Sequence, residues 1–544
     1  MIKTLINLFE LKKLLLFCLF SCTFFIYVRA QNIWENPNSQ VYGYLNRMAQ
    51  KGLIQLNDLI KPINRVDIQF ALNELTSKTE QLTSIEKIEL NFYLQEYKPL
   101  NSNNSTIQII KKDKNNRWRF FNIVNSNFEL HADPVIGLNR VSTDNKNTTQ
   151  LSSGFEMWGS MGKNKNWGYQ VYYRDFIETG NLISNNLKES PIPGKILVGA
   201  QTNNSINYSE IRANLNYQFK NGNISIGKDN ILWGYGENGN IVLSNKAPSY
   251  PYIRLDYNPK KWLSFNYTHA WLNSNITDSS LSYLNNSGRL ENDKRIIFVQ
   301  KYLATHSIQI TPMKGLNLVI GESIIYSDKM DLGFLIPVNL FKFYDNNRSN
   351  YLIEAGSNGQ YFFSINSRNQ IKNTHIYGTL FIDEIKVSAI FDKKEKRNQL
   401  GYTIGASITD LLIPYLTIGT EYTRVNPFVY NNLIQAQTYT SYGFNLGDWM
   451  GNNFDRAILF ARFNPLHKLQ LYGRIQKIRK GGNGSIYEQY VLQPQPAFLN
   501  NAQYNRTDWL LQIRYEWINN LYLKSSVEKF QKNNIYQLGI SFGL

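Results

Sequence analysis

The apolar positions of this chain change their period once. Between residues 40 and 97 they recur mostly at three- and four-residue spacing: Val41, Leu45, Met48 and Ala49, then Ile68, Ala71, Leu72 and Leu75, then Ile85, Ile88, Phe92 and Leu94. Each set falls on one face of a helix. Pro62 separates the first two, and Thr83-Ser84-Ile85-Glu86 has the spacing of a capping box, which predicts the start of the third. The segment reads as a small bundle of three short helices.

From about Arg117 onward the period is two. Ile211, Ala213, Leu215, Tyr217 and Phe219 alternate with Arg212, Asn214, Asn216, Gln218 and Lys220, and Asn221-Gly222 makes the turn before Ile224. Trp509, Leu511, Ile513, Tyr515 and Trp517 alternate with Gln512, Arg514 and Glu516, and Leu469, Leu471 and Ile475 with Gln470, Arg474 and Gln476. Charges on the second face of long strands imply an apolar exterior around a polar interior, which is the pattern of a transmembrane barrel.

Connection lengths support that reading. Short ones at 162–166, 221–222, 258–261, 311–315, 410–412, 464–468 and 518–520 alternate with longer ones at 132–150, 178–205, 275–293, 392–398, 425–453 and 480–505. Outer-membrane barrels have short periplasmic turns and long outer loops, so the expected fold is an all-β transmembrane barrel of about 18 antiparallel strands behind an N-terminal helical bundle on the periplasmic side. The last residues repeat the alternation: Tyr536, Leu538, Ile540, Phe542 and Leu544 against Gln537, Gly539, Ser541 and Gly543. Gln537, Gly539, Phe542 and Leu544 resemble the C-terminal signal read by barrel-assembly machinery, with Leu in place of the commoner terminal aromatic.

At the other end, Lys12 and Lys13, an apolar run over 14–28 and Val28-Arg29-Ala30 read as a secretory signal peptide. Both cysteines, Cys18 and Cys22, lie inside it, so the mature chain is expected to have no disulfide and no Cys-based metal site. The expected divisions are 1–30 for the leader, 31–108 for the helical bundle and 109–544 for the barrel. The formal charge of +17 falls to about +14 without the leader, and such a balance favours polyanionic neighbours of an exported protein: lipopolysaccharide, the outer membrane and acidic polysaccharide, with no nucleic acid.

Residues 226–257, IGKDNILWGYGENGNIVLSNKAPSYPYIRLDY, fit no ordinary surface loop. Gly234, Gly236 and Gly239 spell G-x-G-x-x-G, but Ile241, Val242, Leu243, Pro248 and Pro251 follow, and no helix opens to seat a pyrophosphate. Strand counting puts the segment at the outer mouth or in the lumen. Trp233 and Tyr235 are candidate stacking platforms for sugars, with Lys228, Lys246 and Arg254 as cationic partners for acidic groups. The competing expectation is a lumen charge network of Lys228, Asp229, Arg254, Asp256 and Glu322 that braces the barrel.

Chemistry is otherwise sparse. His131, His269, His306, His375 and His467 have no metal-ligand spacing, no cofactor is implied, and Thr268-His269 is the only hint of a lipid hydrolase. No enzyme is expected.

Several segments in order resemble the capsule-assembly Wzi family of outer-membrane proteins. They are GKDNILWGYGENGNIVLSN followed by YPYIRLDY, THSIQI and LNLVIGES around His306 to Ser323, SYGFNLGDWMG from Ser441 to Gly451, and YLNRMAQKGLI with the later INRVDI. The resemblance implies an 18-stranded barrel with a periplasmic helical bundle. It further implies a surface lectin that holds capsular or extracellular polysaccharide on the cell. A porin or solute channel of the same fold is the alternative.

Overall fold

The computed structural model describes residues 31–98, 106–182, 188–199, 201–284, 294–349, 356–385, 398–488 and 496–543. The expected leader with both cysteines, the charged run 392–397 and Leu544 lie outside them.

Alternating sequence becomes a closed sheet. After a hairpin of β1 (Thr106–Lys112) and β2 (Trp118–Val124) come β3 (Phe128–Ser142), β4 (Asn147–Met161), β5 (Trp167–Gly180), β6 (Ser205–Phe219), β7 (Gly222–Asp229) and β8 (Tyr250–Lys260). The order continues with β9 (Leu263–Thr277), β10 (Phe298–Met313), β11 (Leu316–Ser327), β12 (Asn358–Arg368), β13 (Thr374–Ile385) and β14 (Asn398–Thr409). It ends with β15 (Leu416–Val425), β16 (Phe454–Leu466), β17 (Leu469–Gly481), β18 (Ala502–Ile518), β19 (Leu521–Phe530) and β20 (Asn533–Phe542). Each of the strands β3–β20 pairs antiparallel with its sequence neighbour, and β20 closes on β3 from Tyr536↔Ser142 to Phe542↔Ile136. The barrel therefore has 18 strands.

The part of β3 that β20 does not reach is paired instead with β2, from Phe121↔Ala132 to Val124↔Glu129. Between them the two ladders cover 129–132 and 136–142 of that edge, which shortens the stretch of unpaired amides that would be costly in lipid.

The two faces separate as the alternation predicts. Leu138, Ile211, Leu215, Ile308, Ile320 and Leu511 are exposed on the outside, while Asn214, Asn216, Ser307, Gln309 and Gln476 are buried. Trp167, Trp262 and Trp517 are exposed beside the short turns, where amphipathic rings favour a membrane–water interface. One expected long connection is not one: β3 and β4 run straight through most of 132–150 and leave only residues 143–146 as a turn.

The helical bundle closes the end that carries the short turns. It comprises α1 (Val41–Gln50), α2 (Arg65–Thr76) and α3 (Ser84–Tyr97). The capping box at Thr83 and Glu86 is formed in both directions. The buried face of α3 is only partly the one expected: Phe92 and Leu94 pack half-buried on the bundle core, but Ile88 is exposed, while Leu90, Tyr93, Glu86, Glu89 and Glu96 are buried. The buried acids have cationic partners. Glu96 accepts from Arg65 at 3.2 Å and from Arg117 and Arg119 at 3.0 Å. Burial alone would raise its carboxyl, but Arg119, Arg117 and Arg65 outweigh that and hold it below the usual carboxylate range.

Contacts to the barrel run around the ring of short turns. Arg368 grips Asp58 through two bonds of 2.7 and 2.9 Å, Lys51 pairs with Asp410 at 3.1 Å, and Asn32 bonds Asn223 and the Asn166 carbonyl. Gly168 admits this approach, since a Cβ there would lie 1.6 Å from the Asn32 carbonyl oxygen.

Candidate functional site

The glycine-rich connection between β7 and β8 does not rise out of the barrel. It turns into the lumen and meets a segment of the bundle there: Leu232–Trp233 pair antiparallel with Ile60–Lys61, and the Gly234 amide donates to the Leu59 carbonyl at 2.9 Å. The chain then doubles back, with the Trp233 amide donating to the Leu243 carbonyl at 2.9 Å. That reversal needs φ of +128° at Gly234 and +135° at Gly239, values that a side chain opposes. The G-x-G-x-x-G thus shapes a turn inside a barrel.

A second long connection, residues 426–453 between β15 and β16, descends beside the first. The Tyr430 hydroxyl donates to the Ile241 carbonyl at 2.7 Å and that of Tyr439 to the Val242 carbonyl at 3.0 Å. Ser244 is tied to Leu446 and Gly447. Around this seam Ile231, Trp233, Ile241, Val242, Leu243, Tyr430, Tyr439, Leu446 and Met450 form one apolar core. An apolar mass in a polar lumen is stable only if its backbone is satisfied, and the wall provides for this. Lys480 donates to the carbonyls of Met450 and Asn452 at 2.7 and 2.6 Å. Asn238 donates to Gln476 at 2.9 Å.

The plug is held to the wall at several strands. Trp233 packs edge-on against Phe362 of β12, with ring centroids 4.6 Å apart. Four and five strands further round, Glu237 accepts from Arg462 of β16 and, at 2.8 Å, from the Tyr472 hydroxyl of β17. Arg456 and Asp448 form a two-bond ion pair at 3.1 and 2.7 Å, both fully buried. Among the described residues no group of three or more His, Cys, Asp or Glu could hold a metal ion.

The residues singled out from the sequence are dispersed by this arrangement. Trp233 is 2% exposed, and Tyr235 lies against His375 and Tyr377 with Arg368 over its ring. Trp233 is thus enclosed, and Tyr235 is half-buried. Lys246 is buried, donates to the Ile192 carbonyl at 2.7 Å, and is pushed down to about 8 by burial. Arg254 points inward at the bundle end, donating to the Pro62 carbonyl at 3.1 Å, pairing with Asp256 at 2.8 Å and lying 4.1 Å from the Trp34 ring centroid. Asp229 is buried in the wall, where its carboxylate accepts from the Asn230 amide.

Two of the expected lumen charges are not in the lumen. Lys228 shares the outer face of β7 with the exposed Ile224 and Ile226, and Glu322 shares the outer face of β11 with the exposed Leu318 and Ile320. Strand parity decides this, since alternate residues point to one face. The five charges therefore form separate local contacts in place of one network.

The mouth offers exposed aromatic rings that the sequence reading passed over. Tyr442 is exposed, within the SYGFNLGDWMG segment, and Tyr487 is exposed with the Lys188 ammonium 4.2 Å from its ring centroid. A signal was present: both tyrosines fall in connections long enough to reach the outer surface. His269, the hint of a hydrolase, faces outward and is hydrogen-bonded to the Tyr326 hydroxyl at 2.7 Å.

Comparison with known proteins agrees with this architecture. The family model for the capsule assembly protein Wzi matches residues 143–326, which bears out the resemblance carried by the 226–257 and His306 to Ser323 segments. Among solved structures, the chain is similar to Wzi of Escherichia coli, described as an outer membrane protein involved in group 1 capsule assembly and a carbohydrate-binding β-barrel. The identity is 12%, covering 95% of this chain and 100% of that one, with a TM-score of 0.56. That likeness shows the fold. OprD of Pseudomonas aeruginosa, an outer membrane protein, is similar at 8% identity over 76% of this chain and 92% of its own, with a TM-score of 0.40. No curated protein sequence matches the chain.

Proposed function

We propose that this chain is an outer-membrane surface lectin that holds capsular or other extracellular polysaccharide at the cell surface. The observation that carries the reading is the filled lumen. A barrel of 16 to 18 strands ordinarily encloses an aqueous channel, yet here two connections and the bundle segment 59–61 pack into one apolar core bonded to several strands of the wall. Such a molecule offers a closed platform at its outer end and no evident path for solute. Its positive charge suits an acidic glycan.

In this reading the short turns and the helices behind them face the periplasm. Lipopolysaccharide surrounds the outer rim, and Gln537, Gly539, Phe542 and Leu544 are read by barrel-assembly machinery. Trp233, Tyr235, Lys246 and Arg254 brace the plug and bundle, while the glycan rests on the mouth, with Tyr442 and Tyr487 as stacking surfaces and Lys188 as a cationic partner.

The test compares cell-bound with shed polysaccharide in three strains: unmodified, lacking this protein, and carrying the double substitution Tyr442→Ala, Tyr487→Ala. Loss of the protein is expected to move polysaccharide into the medium, and the double variant to do so with its barrel still folded. Unchanged retention in the deletion strain would overturn the anchor reading.

A further inference from the structure

The described part of the connection between β11 and β12, residues 328–349, differs from the two connections that fill the lumen. It neither enters the lumen nor stands above the mouth, but folds back down the outside of the barrel. Residues 332–335 form a short turn of helix, and α4 (Phe341–Ser349) follows. Phe334 and Phe341, both fully buried, pack on outward-facing rings of the wall. The Phe334 ring centroid lies 4.6 Å from that of Tyr326, and the Phe341 centroid 4.4 Å from that of His306. Gly359 of β12 leaves room beneath it for the Lys342 side chain, 3.0 Å from where a Cβ would be.

Beneath this segment lie polar groups on the face of the barrel that is otherwise apolar. His306 and Glu322 are direct partners across β10 and β11, in line with exposed Ile308, Ile310, Leu318 and Ile320. Glu322 lies about 20 Å along β11 from the turn at Leu316, hence about 15 Å above the ring of short turns at the usual strand tilt and within an apolar band about 25 Å tall. A bare carboxylate there would face hydrocarbon. Instead, it accepts from the α4 amides of Phe341 at 3.0 Å and Lys342 at 2.6 Å, so it caps the helix N-terminus, where the dipole favours negative charge. The Pro337 carbonyl accepts from His306 Nδ1 at 3.0 Å and the Phe334 carbonyl from the Tyr267 hydroxyl at 2.8 Å.

The other side of the segment is apolar and uncovered. Leu332, Ile336, Val338, Leu340 and Phe343 are between 52 and 76% exposed. An outer loop bathed in water would not gather five such side chains on one surface. The patch continues the exposed apolar band of β10 and β11, whose partner is the lipid bilayer.

We propose that residues 331–349 form a strap inserted in the outer leaflet. Its exposed side meets lipid acyl chains, while its inner side seals the polar column of His269, His306 and Glu322 from them. The strap widens the lipid-facing surface of the barrel and lets a carboxylate and two imidazoles occupy positions that lipid would otherwise forbid. The proposal requires the barrel to sit in a bilayer and is independent of glycan binding at the mouth.

Single cysteines test it, because the chain carries none after Cys22. Full-length Val338→Cys and Tyr442→Cys proteins, labelled with an environment-sensitive fluorophore, are placed in phosphatidylcholine vesicles. Bromine on mid-chain acyl carbons is expected to quench the Val338 label at least about twofold more than the Tyr442 label, and aqueous iodide to show the reverse order. Equal iodide quenching at both positions would overturn the proposal, because the strap would then lie in water. Protection from both quenchers that grows with the protein-to-lipid ratio would also overturn it, because a second copy of the chain would be covering the patch. As a separate readout, Glu322→Leu in the Val338→Cys background should raise iodide access to the label in barrels that remain heat-modifiable. Unchanged access would remove the role of Glu322 as the anchor.

Discussion

At the scale of single residues, burial decides role. Arg254 carries a positive charge within the glycine-rich stretch 226–257, which suited it for an acidic ligand. Its contacts are to Asp256, the Pro62 carbonyl and the Trp34 ring, all within the protein. Replacing it by Gln leaves Asp256 without its main cation and loosens the bundle, an effect of about 3 kcal/mol for breaking a buried pair. Urea titration of the heat-modifiable folded form should show that loss, while polysaccharide retained per folded barrel stays unchanged. A fully stable Arg254→Gln barrel that sheds polysaccharide would return Arg254 to the binding role. Glu322 carries the complementary lesson. Its place beside Leu318 and Ile320 was legible from alternation, yet its charge argued for the lumen; the covering strap, remote in sequence from the strand rule, resolves the conflict.

Among elements, strands were the most legible and connections the least. Strand ends near 219 and 518 follow from period-two runs and an Asn-Gly or Asn-Asn turn, because a strand's pattern is local. The strap was not anticipated because LGFLIPVNLFKFY is apolar with neither period, and only the wall of β9–β11 gives it a face to bury. For α3 the apolar positions gave the face only in part: Phe92 and Leu94 pack on the core, but paired Glu86, Glu89 and Glu96 are buried in preference to Ile88. The lumen turn can be tested directly. A Cβ at Gly239 would lie 2.4 Å from the Asp448 carboxylate, at a φ of +135°. Gly239→Ala should therefore lower stability by about 1 to 3 kcal/mol, read as a shift of the urea midpoint, whereas Gly43→Ala, with nothing within 4 Å of its added Cβ, should have little effect.

For the whole molecule, the question is whether a barrel of this width conducts. The plug is bonded to the wall from Asn273 of β9, through Ser441, round to Lys480 of β17, through Met450, so purified protein in a planar bilayer should show no steady current. Replacing residues 431–447 with a short Gly-Ser linker removes Tyr439 and Leu446 from the core along with Ser441 and Phe444, and should produce a lasting conductance. Steady current through the unaltered protein, blocked by small sugars, would instead support a solute channel.

What the sequence by itself determined is the class of fold: a change of period from helical to alternating, turns of two kinds in regular succession, and a final strand able to close the sheet. Those features follow from local rules, in which each residue's face depends on its neighbours in the chain. What only the tertiary structure decided is where the connections go. Residues 230–249 and 426–453 turn inward because each covers the other's apolar surface, and the connection after Ser327 turns outward because the wall beneath it carries groups that lipid cannot hold. These choices depend on surfaces that exist only once the barrel has closed, and with them Trp233, Tyr235, Lys246 and Arg254 make their contacts within the protein.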